Sequence, residues 1–227
     1  EVLKVLQSQD MLPAITFIFS RAGCDGALYQ CLRSRMVLTS QEEAQQIKDI
    51  VDAGVEGIPE EDLQVLDFKR WREALSRGFA AHHAGMLPAF RHIVEDLFVR
   101  GLVRAVFATE TLALGINMPA RTVVLEKLIK FNGEAHVDLT PGQYTQLTGR
   151  AGRRGIDTLG NAVVQWAPAM DPRQVAGLAS TRTYPLISTF APGYNMAINL
   201  LGMLGFEESL RLLEKSFAQF QADGSVV

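Results

Sequence analysis

Residues 103–119 read VRAVFATETLALGINMP (Val103–Pro119). The first part, Val103 to Thr109, is a short apolar run rich in β-forming residues and is the clearest strand in the chain. The second part turns polar and glycine-bearing at once, as a loop leaving a strand does. In open α/β sheets ligands bind beyond the carboxyl ends of the strands, which is where this loop falls. Thr109 and Thr111 offer hydroxyls, Gly115 permits close backbone approach, and Asn117 carries a bidentate amide. That set suits phosphates and a sugar. A plainer reading stays open beside it: a polar strand-to-helix turn with Leu112 and Leu114 tucked into a core.

Working outward, further strands are expected at Ala14–Phe19, in GFAAHHAG up to His82 and His83, at Arg121–Glu126 and at Gly160–Ala167. Helical text lies between them. Ser20 reads as an N-cap, residues 39–77 as charged helix interrupted by Gly54, Gly57 and Pro59, and Pro88 as a helix start stopped by Gly101. Thr140 and Pro141 open another helix in N-cap and N1 style. Strands alternating with helices imply an α/β fold, a parallel sheet with helices on both faces. Past Pro168 no strand is legible, so a helical C-terminal segment follows, with a boundary expected near residues 168–185.

The 227 residues, 48% of them hydrophobic, can bury one large domain or one domain plus part of another. A net charge of −3 means that any anion site must be a local concentration of arginine. Cys24 and Cys31 are too few for a disulfide framework and are expected to be buried free thiols. No apolar run approaches ~18 residues and no signal peptide is legible, so the reading is a soluble, cytoplasmic protein. A start at Glu1 without methionine suggests a piece of a longer chain.

The arginine concentration is QLTGRAGRRG (Gln146–Gly155), three arginines and three glycines in ten residues. The helix from Thr140 is expected to carry this motif, so that Gln146, Arg150 and Arg153 share one face. Gly149 and Gly152 would then let another surface approach closely. Guanidinium forks that cannot lose their proton suit phosphate oxygens, including those of a phosphoryl group in transfer. A solvated basic helix end capped by glycine is the simpler alternative. His82 and His83 lack metal-site spacing, so no metal site is expected; one ring should face the core and the other the strand-end surface. No glycine is followed by lysine and no Asp-Glu pair occurs, so the phosphate loop and acidic pair of an ATP site are both missing.

Taken in order, FIFSR (Phe17–Arg21), HHAGM (His82–Met86), ATETLALGINMPA (Ala108–Ala120) and QLTGRAGRRG resemble motifs IV to VI of superfamily-two helicases. The wording is similar to the Ski-like DExH-box branch, its actinobacterial members above all, over about residues 12–221. FAPGYNMAINLL (Phe190–Leu201) and SFAQFQ (Ser216–Gln221) resemble the start of that family's winged-helix domain. The resemblance implies a second RecA-like domain over 1–175 and a linker with the beginning of a winged-helix domain over 176–227. It implies that Arg150 and Arg153 face the γ-phosphate of ATP, and that Gln146, Asn117, Gly149 and Gly152 lie at the nucleotide. Ser20, Arg21, His83, Ala84, Gly85, Thr109 and Thr111 occupy positions that follow a single-stranded nucleic-acid backbone. ATP and Mg²⁺ would be held mainly by a first RecA-like domain, the expected partner. RNA is favoured over DNA because Arg154 stands where DNA-repair relatives typically carry proline. A DNA-repair helicase, or a non-catalytic interaction module on the same fold, is the rival reading.

Overall fold

The computed structural model describes residues 1–113, 118–168, 170–181, 188 and 190–224. Five strands form one parallel sheet: β1 (Ala14–Phe17), β2 (Phe79–His82), β3 (Ala105–Ala108), β4 (Thr122–Leu125) and β5 (Asn161–Val164). Their spatial order is β2-β3-β1-β4-β5. The first four are buried along their whole length, as expected of apolar strands covered on both faces. Each lies within the run expected from the sequence, trimmed at its ends.

Alternation along the strands sorts side chains into two cores. Ile15, Phe17, Ala80, Val106, Val123 and Leu125 face one layer, with α3 (Gln41–Gly54), α5 (Phe68–Ser76), α6 (Pro88–Val99) and α7 (Pro141–Thr148). Ala14, Phe79, Ala81, Ala105, Phe107 and Val124 face the other, with α1 (Val2–Ser8) and α2 (Arg21–Arg33). Trp71 and Phe90 stack with centroids 4.1 Å apart and tie α5 to α6. A short α4 (Glu60–Val65) and α8 (Pro172–Ser180) complete this unit, Val175 and Leu178 of α8 packing on the first core. Cys24 is buried and Cys31 partly so, and burial pushes their thiols up to about 12 and about 11. Both are therefore poor nucleophiles.

The chain separates into two compact units, Glu1–Arg182 and Thr183–Val227. The second holds α9 (Tyr194–Glu214), broken at Gly205 (φ 74°, ψ 177°), and α10 (Phe217–Gly224). Among the described residues no helix is long and apolar enough to cross a membrane.

A hairpin was also not legible beforehand. Ile129–Phe131 and His136–Asp138 form an antiparallel hairpin outside the main sheet. Its turn carries Asn132-Gly133, with Gly133 at φ 108°, and the Asn132 side chain accepts from the backbone N–H groups of Glu134 and Ala135. Asn-Gly between apolar flanks is a hairpin signal, here masked by strands only three residues long.

Candidate functional site

Register decides where the loops emerge. Phe17 and His82 both pair with Ala108, so β1, β2 and β3 end at one level on adjacent strands. The residues that follow, Ser20 and Arg21, His83 to Gly85, and Thr109 with Thr111, are thereby brought side by side. A Cβ on Gly85 would meet the Arg21 side chain at 3.3 Å, which joins two of the three loops directly. Arg21, Ala84, Gly85 and Thr111 are exposed.

The side chains differ in what they have left to give. The Ser20 hydroxyl accepts from the Gly23 N–H at 2.9 Å and caps α2. Thr109 and Thr111 share a hydroxyl–hydroxyl hydrogen bond of 2.9 Å. The expectation of one core-facing and one surface histidine is corrected: His82 and His83 are both buried. His82 is bound to Glu95 at 2.8 Å, and burial lowers its pKa. At His83 the Gly85 N–H donates to Nδ1, which leaves the proton on Nε2 to donate to Asp25 at 3.1 Å. Both ring nitrogens being used, His83 shapes its loop, and the open surface there belongs to Ala84 and Gly85.

The second cluster is QLTGRAGRRG, where the helical expectation needs a larger correction. Thr140 caps α7, as the sequence suggested, and does so through a capping box with Gln143, but α7 ends at Thr148. Gln146 lies exposed on its last turn, whereas Arg150 and Arg153 lie beyond it and share no helical face with Gln146. Gly152 has φ 90°, which no helix tolerates. The backbone is instead drawn to the segment before β4. Ala120 N–H donates to Arg150 O at 2.9 Å and Gly152 N–H to Ala120 O at 2.7 Å, a parallel bridge between Ala120 and Ala151.

That bridge joins the two clusters. The loop after β3, a 3₁₀ turn over Glu110–Ala113 as far as it is described, is held at one end by Arg150, whose Nη2 donates to the Ala113 carbonyl. Its other end is held at Ala120. Asn117, with Leu114 and Gly115, lies outside the described residues. Leu112 is buried, as the plainer reading of this loop required.

Arg153 is held by a residue that the sequence reading passed over. Its Nε and Nη2 each donate to Asp157 at 2.8 Å, and its backbone N–H donates to the same carboxylate at 2.9 Å. Arg121 stands 3.9 Å from Asp157 and also pairs with Asp10 at 2.6 Å. The Arg153 hydrogen bonds outweigh burial and hold the Asp157 carboxyl down at about 2. With the folded value below the ordinary one, the pair stabilises the fold above about pH 4 and is lost only as pH falls toward 2. Asp157 lies four residues after Arg153, but outside a helix that spacing carries no signal of its own.

Five guanidinium donors less two leave Arg153 with three N–H groups beyond those given to Asp157, on a side chain 25% exposed. Such a group suits the anionic end of a nucleotide. Among the described residues no cluster of three or more acidic, histidine or cysteine side chains could hold its cation.

A five-stranded parallel sheet flanked by helices is the architecture of a RecA-like domain. Residues 59–155 match the family described as the helicase conserved C-terminal domain. The probable helicase HelY of Mycobacterium tuberculosis (strain ATCC 25618 / H37Rv) is 66% identical over 227 residues, all of this chain and 25% of HelY. HelY of Mycobacterium leprae is 64% identical over 230 residues, again all of this chain and 25% of the relative. The human exosome RNA helicase MTR4 is 35% identical over 221 residues, 97% of this chain and 21% of MTR4. The chain thus spans about a quarter of the length of the curated relatives it matches.

Proposed function

We propose that this chain is the second of two RecA-like domains in an ATP-dependent RNA helicase, completing an ATP site held mainly by the first. ATP with Mg²⁺ supplies the phosphoanhydride bond to be hydrolysed. Arg150 and Arg153 bind its terminal phosphate, and Gln146, Asn117, Gly149 and Gly152 border the nucleotide. Ser20, Arg21, His83 to Gly85, Thr109 and Thr111 form part of a track for single-stranded RNA in the cytoplasm. Residues 176–227 comprise a linker and the beginning of the winged-helix domain. The name of MTR4 as an RNA helicase and the presence of Arg154 favour RNA over DNA.

The observation that carries this reading is the junction at Ala113 and Ala120. It supports a mechanical route, since a nucleotide that moves Arg150 moves the loop leading back to Thr109 and Thr111. The test is fluorescence anisotropy of a labelled single strand across a salt series. The chain should bind weakly, with about two to four phosphate contacts and a slope near −0.7 per contact. Base identity should matter little. Arg21→Ala should flatten the slope by up to about one contact, and Arg153→Ala should leave it unchanged. A steep slope that collapses in Arg153→Ala would put the arginines on RNA and reverse the assignment.

A companion expectation concerns the chain by itself. Without a Gly-Lys phosphate loop it should neither hydrolyse ATP nor bind it tightly. Calorimetry giving a sub-micromolar Kd, about −8 kcal/mol or better, would contradict it.

A further inference from the structure

We propose that Asp157 is the positioning residue that presents Arg153 to the nucleotide, an inference that rests on the reading of Arg153 as a phosphate ligand. The geometry is specific. Asp157 takes the side edge of the guanidinium, Nε and Nη2, and leaves the end edge, Nη1 with the second Nη2 proton. That end edge is a planar fork of parallel donors, the form that matches two phosphate oxygens.

The carboxylate also fixes the backbone from which the fork projects. Asp157 N–H donates to Arg153 O at 2.9 Å while Arg153 N–H donates to the Asp157 carboxylate at 2.9 Å, so residues 153–157 close into a reciprocally bonded turn. Gly155 permits that turn with φ 78°. The Asp157 side chain is only 4% exposed, and Arg121, itself paired with Asp10, stands 3.9 Å from the Oδ1 that Arg153 Nη2 also binds. Three contacts and a buried carboxylate leave Arg153 little rotamer freedom to lose when a phosphate arrives. The carboxylate reduces the local positive charge, and the gain is direction: a fork aimed before the ligand binds.

Two measurements test this. In the nucleotide-free chain, the Arg153 Nε–H should give a protected NMR signal with slow rotation about Nε–Cζ. Asp157→Asn should abolish that protection while Arg100, paired on an exposed helix face, keeps its own behaviour. In the full-length protein, Asp157→Asn should lower kcat for RNA-stimulated ATP hydrolysis about 10-fold or more, with a smaller change in KM. Asp157→Glu should recover part of the loss. The double variant Asp157→Asn/Arg153→Ala should be no slower than Arg153→Ala alone, because the aspartate acts through the arginine.

The outcomes separate. If Arg153→Ala is slow but Asp157→Asn keeps wild-type kcat, or adds its full loss on top of Arg153→Ala, the positioning role is wrong. Retained Nε–H protection in Asp157→Asn also overturns it. If Arg153→Ala itself turns over normally, the phosphate-ligand reading fails first and the proposal falls with it.

Discussion

Replacing Arg153 by alanine in the full-length protein is expected to lower kcat for ATP hydrolysis by about 10²-fold or more, and Arg150→Ala by a similar factor. The size follows from what a preorganised guanidinium does for charge spreading over phosphoryl oxygens, an interaction that strengthens toward the transition state. The two substitutions should differ in their side effects. Arg150 holds the Ala113 carbonyl, so its loss also loosens the loop after β3 and should weaken the coupling of hydrolysis to RNA. Arg153 contacts Asp157, and truncating its side chain leaves a carboxylate only 4% exposed with the residue-153 backbone N–H and Arg121 alone, so some loss of stability accompanies the loss of rate. Lysine should not rescue position 153, since a point charge cannot serve Asp157 along one edge and phosphate along the other. Steady-state ATPase assays with and without RNA, beside melting temperatures, distinguish these effects. Near-normal turnover in either alanine variant would make that arginine structural.

How much of this was legible beforehand depends on how local the determinant is. The five strands of the main sheet are short apolar runs bounded by polar or glycine residues, and such runs announce themselves without knowledge of their neighbours. The grouping of Arg21, Gly85 and Thr109 came from the family resemblance, and the shared register of β1, β2 and β3 brings them side by side. The fate of α7 was not local. Residues 149–155 leave the helix because Ala120, some thirty positions earlier, offers its backbone to Arg150 and Gly152. No periodicity in the decapeptide carries that information. Asp157 was missed for a related reason: one acidic residue after a basic motif gains meaning only once the turn at Gly155 closes. His83 shows the limit in the other direction, a motif residue whose ring is used up in holding its own loop by Asp25 and Gly85.

Gly160→Ala should be the most damaging single-methyl change at this site. A Cβ built on Gly160 lies 2.6 Å from the Ala151 carbonyl carbon, its oxygen and the Gly152 nitrogen. These are backbone atoms, with no side-chain end to swing aside. Nor can the backbone yield cheaply. Ala151 is bridged to Ala120, Gly152 donates to Ala120 at 2.7 Å, and Asn161, the first residue of β5, donates to Arg121 at 3.0 Å. The methyl must therefore push apart two segments pinned to the same neighbour, with Arg150 and Arg153 flanking the point of contact. Overpacking of this kind costs about 1–3 kcal/mol. In a unit of this size that lowers Tm by roughly 2–4 °C per kcal/mol. A displacement near 1 Å at the arginines can cost about 10²-fold in rate, so kcat in the full-length protein should fall by about 10-fold or more even where the fold survives. Gly177→Ala is the matched control. Gly177 sits exposed in the interior of α8 with nothing within 4 Å of an added Cβ, and alanine there should leave kcat unchanged and raise stability by up to about 1 kcal/mol. Thermal melts and ATPase rates of the two variants, measured side by side, give the answer. Should Gly160→Ala melt and turn over like Gly177→Ala, the approach of residue 160 to the arginine-bearing backbone is slack, and the arginines are not held as tightly as the bridge at Ala120 requires.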